Sequence, residues 1–183
     1  MGDHEDRYGW IAAEFGRRVE AVPPEAWDAP APCAGWAARD VVRHLTEWIP
    51  AFFYDRWGID GAPIPPVDDD PVGAWTALDA TLRAALSDPA VAASERDTPM
   101  GRRTFAATLD MIGTTDVFLH TWDLARATGG DERLDPAEVH RLYEGMLPLD
   151  EMLRTSGHYG PRVEVPADAD EQTRLLAFIG RRP

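Results

Sequence analysis

An all-α fold, arranged as an antiparallel four-helix bundle, is the architecture that this sequence predicts. Apolar residues recur at steps of three and four through four long segments, and this spacing places them on one face of a helix. Loops of middle length separate the segments, so consecutive helices can pack side by side in opposite directions. The strand candidate at 162–166 is too short to carry a sheet. The 183 residues are therefore expected to form one domain, residues 1–183, with a short C-terminal extension.

Proline, glycine and capping residues set the limits of the predicted helices. Pro23 and Pro24 end the first helix, and Gly129 with Gly130 closes the fourth as a C-terminal cap. Asp135 and Pro136 begin the fifth helix, in which Pro148 should cause a kink. Residues 58–71 and 90–101 are predicted to be irregular connections. The predicted helices are about 7–22, 37–57, 72–86, 103–128, 136–154 and 171–179.

Composition narrows the classes of function. The formal net charge is −14, and all 18 cationic residues are arginine. An acidic surface repels phosphate backbones, so nucleic acid is not an expected partner. No segment has the length and apolarity of a membrane span, and the polar start differs from a signal peptide. With a single cysteine, Cys33, the chain is expected to be cytoplasmic, and the sequence leaves a homodimer open.

A polar stripe on the fourth helix is the strongest indication of chemistry. It begins apolar and then presents carboxylate, imidazole and carboxylate at steps of three or four residues, which keeps them on one face. Unpaired charge on an inward face costs on the order of a few kcal/mol. A cation held between Asp116 and His120 would offset that cost. The stripe consists of Phe105, Leu109, Ile112, Asp116, His120, Asp123 and Ala127.

A third ligand must come from another helix, and His44 is the best candidate. It lies on the second helix beside the apolar residues Val41 and Leu45. His44, Asp116 and His120 would supply two imidazoles and one carboxylate, with positions left open for water or substrate. The other histidines are in the terminus, an arginine-flanked stretch and a loop: His4, His140 and His158.

The same residues also fit a structural polar network without metal, in which His120 bonds Asp116 and His44 is a satisfied core histidine. Asp123 could orient a ligand imidazole or pair with an arginine (Arg39, Arg43 or Arg126), and we favour the arginine. Asp40, four residues before His44, has the same two interpretations. Cys33 is interpreted as a small buried residue rather than a nucleophile. The aromatic side chains nearby are interpreted as core and pocket wall: Trp36, Trp48 and Trp122.

Four stretches resemble the DinB/YfiT-like superfamily, and more closely its actinobacterial branch related to mycothiol-dependent maleylpyruvate isomerase. The resemblance extends over nearly the whole chain, and the stretches that carry it are residues 33–45, 119–129, 159–166 and 174–181. The resemblance implies a four-helix bundle and a divalent metal held by His44, Asp116 and His120. Two positions depart from the pattern: similar proteins usually carry glutamate at Asp116 and often threonine at Ala37. These departures leave the specific reaction open.

The resemblance also implies the chemistry. The predicted function is a divalent-metal-dependent enzyme of low-molecular-weight thiol chemistry, a transferase or an isomerase, with a mycothiol-type thiol as cosubstrate. Zinc is the expected metal, with nickel or iron as alternatives, and the metal-activated thiolate would attack a small electrophile. A mononuclear metal hydrolase or iron enzyme fits the same ligands. So does a metal-binding stress or ligand-binding protein without turnover.

Overall fold

The computed structural model describes residues 2–183, with side chains from residue 4 onward, and most of them are helical. The chain divides into two compact units, of which the first ends at Glu132 and the second is Arg133–Pro183. The single domain expected over residues 1–183 stays a prediction. In the described part of the chain, no helix combines the length and apolarity needed to cross a membrane.

Two helices of the first unit follow the predicted segments closely. The second and third begin and end within about one residue of the predicted limits, because proline or glycine lies at three of these four limits. The first helix begins before the predicted Arg7, at Gly2. Gly58 and Gly129 end two of the helices with φ of 66° and 69°, a conformation that glycine adopts without strain. The helices are α1 (Gly2–Glu20), α2 (Ala38–Trp57), α3 (Pro71–Ser87), α4 (Pro89–Ala92), α5 (Phe105–Thr108) and α6 (Thr115–Thr128).

The long helices of this unit pack through their apolar faces. Helix α1 contacts both α3 and α6, and α2 contacts the same two helices. Their facing side chains are almost completely buried, which removes a large apolar area from water. The largest of them are Tyr8, Phe15, Phe53, Leu78, Leu82 and Trp122.

A β-hairpin occupies a region that was predicted to be irregular. Strand β1 (Glu95–Thr98) pairs antiparallel with β2 (Gly101–Thr104), with Glu95 opposite Thr104. The side chains of both strands are mostly exposed, so the sequence carries no alternation of apolar and polar residues that would reveal the hairpin. The fourth predicted helix therefore begins at Phe105 rather than near Arg103.

A wide turn interrupts the predicted long helix between α5 and α6. Residues Leu109–Thr114 form a π-helical segment in place of regular α-helix. Arg7 on α1 holds this segment from outside: its Nη1 atom donates to the carbonyl oxygen of Asp110 at 2.8 Å and to the carboxylate at 2.7 Å. π-helical turns of this kind occur often beside functional sites.

The second unit contains α7 (Pro136–Met146), α8 (Asp150–Thr155) and α9 (Glu171–Phe178). The predicted kink at Pro148 is confirmed, because a 3₁₀ turn over Leu147–Leu149 separates α7 from α8. The predicted strand at 162–166 is wrong. This segment is extended without forming a ladder, and the Val163 amide donates to the Ala177 carbonyl of α9. The alternation seen in the sequence comes from packing against a helix.

Candidate metal centre

The three predicted ligands come together where α2 contacts α6. His44 projects from the middle of α2, and Asp116 and His120 lie one turn apart on α6. The Nε2 atom of His44 is 3.0 Å from Oδ2 of Asp116, and Nε2 of His120 is 3.5 Å from Oδ1. The structure thus brings together residues that are 72 positions apart, as the sequence predicted.

The spacing and chemistry of these atoms fit a divalent metal. In a tetrahedral site with bonds of about 2.0–2.1 Å, neighbouring ligand atoms are roughly 3.3 Å apart. The two nitrogen–oxygen distances of 3.0 and 3.5 Å bracket that value. Each imidazole also faces a different oxygen of the carboxylate. The same distances allow a hydrogen-bonded network without metal, so metal binding stays a prediction.

The centre is closed on one side and open on the other. The His120 side chain is 5% exposed, whereas those of His44 and Asp116 are 32% and 26% exposed. The Trp36 ring stacks on His120 at 5.7 Å between centroids and lies 5.0 Å from His44. A small molecule can therefore approach from the side of His44 and Asp116, while Trp36 shields the imidazole faces.

Trp48 has a polar role that sequence reasoning missed. Its indole Nε1 donates a 2.8 Å hydrogen bond to Oδ2 of Asp116. The sequence placed Trp48 in the core and pocket wall, because spacing along α2 gives the helix face but not the partner on α6. The bond fixes the carboxylate and leaves Oδ1 directed at His120.

Asp123 lies behind His120. The predicted pairing of Asp123 with an arginine is therefore corrected in favour of His120. Its carboxylate is completely buried, and Oδ2 is 2.9 Å from Nδ1 of His120, at an angle that leaves Nδ1 without a formal hydrogen bond. The three candidate arginines pair with other carboxylates: Arg126 with Glu132, Arg43 with Asp40, and Arg39 with Asp28 and Asp68. A carboxylate behind a ligand imidazole favours the tautomer whose other nitrogen faces the metal.

Cys33 lies in the same group, which sequence spacing did not indicate. Its Sγ atom is 3.6 Å from Oδ2 of Asp123, and the donor atoms of Cys33, His120 and Asp123 lie within 4.8 Å of one another. Asp40, by contrast, accepts a 2.8 Å hydrogen bond from the Ala37 amide and so caps α2 rather than orienting His44.

The charged side chains of the centre shift the pKa values of Asp116 and His120. Burial by itself would raise the pKa of Asp116, but the facing His120 and the hydrogen bond from His44 lower it. Burial by itself would lower the pKa of His120, but Asp116, with the contacts to Asp123 and Cys33, raises it to about 10. Two carboxylates flanking one imidazole make the centre attractive to a cation, and a metal bound there would displace the proton of His120.

The remaining histidines lie elsewhere. Nδ1 of His4 is 3.2 Å from Asp110, and Nδ1 of His140 is 2.9 Å from Glu171 in the second unit. His158 is in the loop after α8.

Residues 9–53 match the family model described as the mycothiol maleylpyruvate isomerase N-terminal domain. Over this stretch the match confirms the resemblance to the actinobacterial branch related to mycothiol-dependent maleylpyruvate isomerase. The matched stretch includes His44 and most of α2, and it ends before Asp116 and His120. Uncharacterized proteins from two strains of Mycobacterium tuberculosis, CDC 1551 and H37Rv, are each 28% identical over 169 residues, which cover 91% of this chain and 91% of each relative. No solved structure matches the chain.

Asp123→Asn should weaken metal binding by roughly ten- to a hundredfold, because it removes the negative charge behind His120 without changing the shape of the side chain. Competition with a chromophoric chelator measures the change in metal Kd. Asp40→Asn is the matched control, since Asp40 caps α2 and pairs with Arg43 away from the ligand atoms. Equal metal affinity in the Asp123→Asn variant and the wild type would contradict the orienting role.

Proposed function

We propose that this protein is a divalent-metal-dependent enzyme of low-molecular-weight thiol chemistry, of the mycothiol-dependent transferase or isomerase type. The observation that carries the proposal is the convergence of His44, Asp116 and His120 on a centre open on one side. The family match supports a mycothiol-related role. The proposal includes the DinB-like four-helix bundle, formed by α1, α2, α3 and α6, and zinc as the metal.

Each residue of the centre has a distinct part in this proposal. His44, Asp116 and His120 would hold the metal, which supplies a site where a thiol binds with a lowered pKa. The Trp48 indole holds Oδ2 of Asp116 in place, and Asp123 directs Nδ1 of His120 away from the ligand position. Trp36 covers the imidazole faces and limits water on that side. The thiol and the electrophile would enter beside the exposed edges of His44 and Asp116.

The open side argues against a metal with a purely structural role. Structural zinc sites close their shell with four protein ligands, whereas catalytic sites keep a position for a small molecule. Among the described side chains, Cys33 belongs to the other face of His120, with Asp123, rather than to the group of three predicted ligands. A thiol that stays attached to the electrophile would give a conjugate, and a thiol that leaves after bond rotation would give an isomer.

Cobalt substitution tests the proposal directly. Adding mycothiol to the cobalt(II) protein should produce a new sulfur-to-cobalt charge-transfer band, because the thiolate would occupy an open coordination position. The serine analogue of mycothiol, which has a hydroxyl in place of the thiol, should not produce this band. A spectrum unaffected by millimolar mycothiol would contradict the thiol function and favour the second candidate, a hydrolytic or iron enzyme, which the two-histidine, one-carboxylate ligand set also suits.

A further inference from the structure

A groove in the second unit provides a second candidate binding site. It has a volume of about 260 Å³ and lies between α7, the extended segment 162–167 and α9. The residues that shape it are Tyr143, Arg162, Val163, Val165, Arg174 and Phe178, and we call it the Arg174 groove. It is built entirely from the second unit, whereas the candidate metal centre belongs to the first.

The cations of the groove differ in their partners. Arg162 pairs with Asp150 through contacts of 3.2 and 3.0 Å, and its guanidinium lies 4.6 Å over the Phe178 ring. The Arg174 guanidinium lies 5.8 Å from the centre of the Tyr143 ring and, among residues 4–183, has neither a carboxylate partner nor a hydrogen bond. In a chain with a net charge of −14, a cation without an acidic partner is notable. Arg174 is thus available to an anion from outside.

Several wall residues of the groove are apolar, and contacts within the second unit hold them in place. The Val163 amide donates to the Ala177 carbonyl at 2.9 Å, which fixes the extended segment against α9. The rings of Tyr143 and Phe178 meet edge to face at 6.2 Å. Phe178 is buried, and the half-exposed side chains of Tyr143, Val163 and Val165 supply the apolar surface of the groove beside Arg174. Such a surface suits a flat apolar group attached to an anion.

We propose that the Arg174 groove binds a small aromatic carboxylate. The planar guanidinium matches a carboxylate with two parallel hydrogen bonds, and the apolar side chains of the groove would contact the ring. The volume of about 260 Å³ is slightly below the range of about 300–1,000 Å³ usual for ligand pockets, which favours a one-ring ligand over a nucleotide. This inference is independent of the thiol function, because its residues and those of the metal centre are different.

Benzoate is the probe that tests the inference on the full chain. Titration into ¹⁵N-labelled protein should produce saturable shifts of the Val163, Ala177 and Phe178 amide signals, with a Kd of about 1 mM as expected for a ligand of this size. Benzyl alcohol, which keeps the ring but lacks the charge, should bind at least about tenfold more weakly. Absence of saturable shifts at these amides, or equal affinity for benzyl alcohol, would overturn the proposal.

A pair of substitutions separates Arg174 from a general charge effect. Arg174→Gln should weaken benzoate at least about tenfold, and the exposed position makes loss of the fold unexpected. Arg103→Gln on the hairpin changes the net charge equally and should leave the benzoate Kd within about twofold. Equal weakening by both substitutions would show that net charge, not the groove, governs binding. Metal content in both variants should equal that of the wild type, so failure here leaves the metal proposal standing.

Discussion

His44→Ala and His120→Ala should each remove most of the divalent metal from protein purified after metal-replete expression, where the wild type carries close to one equivalent per chain. Each change takes one of the three predicted ligands, so metal Kd should rise by roughly a hundredfold or more, equivalent to about 2.7 kcal/mol. Elemental analysis of dialysed protein measures the stoichiometry, and chelator competition measures the affinity.

His158→Ala is the control for these substitutions. It removes an exposed imidazole from the loop after α8, which belongs to none of the groups of described side chains that could hold a metal, so the metal content should not change. Circular dichroism should show the helical content of the wild type in all three variants. His120→Ala opens a buried space and should be the least stable of them. Metal-free wild-type protein, or full metal content in His44→Ala, would contradict the site.

Asp116→Asn should reduce metal affinity by a similar factor, because the amide keeps the shape of the side chain but loses the negative charge that faces both imidazoles. Asp116→Glu should retain the metal, since the resemblance implies glutamate at this position in similar proteins. Isothermal titration with zinc compares the three forms at one pH. The pair of variants separates the need for charge from the need for length.

The hydrogen bond from Trp48 to Asp116 affects how the Asp116→Asn variant is interpreted. If the amide oxygen introduced by Asp116→Asn accepts from the indole, the side chain keeps its position and only the charge is lost. Unchanged zinc affinity in Asp116→Asn would show that the carboxylate is not a ligand. Asp123, the other carboxylate within reach of His120, would then become the candidate.

Sequence patterns predicted most of the helical structure because the determinants are local. Asp135 followed by Pro136 marks the start of α7 at its observed residue, and Gly129 ends α6 as predicted. The hairpin was missed because its side chains face solvent and follow no apolar period. The strand predicted at 162–166 was wrong. Alternation of apolar and polar residues shows only that one side of an extended segment is buried, and here a helix rather than a second strand buries it.

The candidate site, like the fold, could be predicted only in part from local sequence patterns. The register along α2 and α6 was enough to make His44, Asp116 and His120 candidate ligands, and the resemblance favoured a metal over a polar network. The hydrogen-bond partners of the two carboxylates depend on tertiary packing. Trp48 is 68 residues from Asp116 in the sequence, and Cys33 is 90 residues from Asp123. No periodicity along one helix carries such information.

The wide turn at Leu109–Thr114 determines where the second half of its helix is aimed. Each residue of an α-helix adds a rotation of about 100° around the axis, whereas the wider π turn adds less per residue. Regular α winding over the same six residues would therefore turn Asp116 and His120 away from α2 by roughly that angle. All three ligands would remain in the sequence, yet they would no longer converge. Related chains can therefore keep the histidines and the acid while losing the centre, and whether this wide turn is kept is as informative as the motif itself.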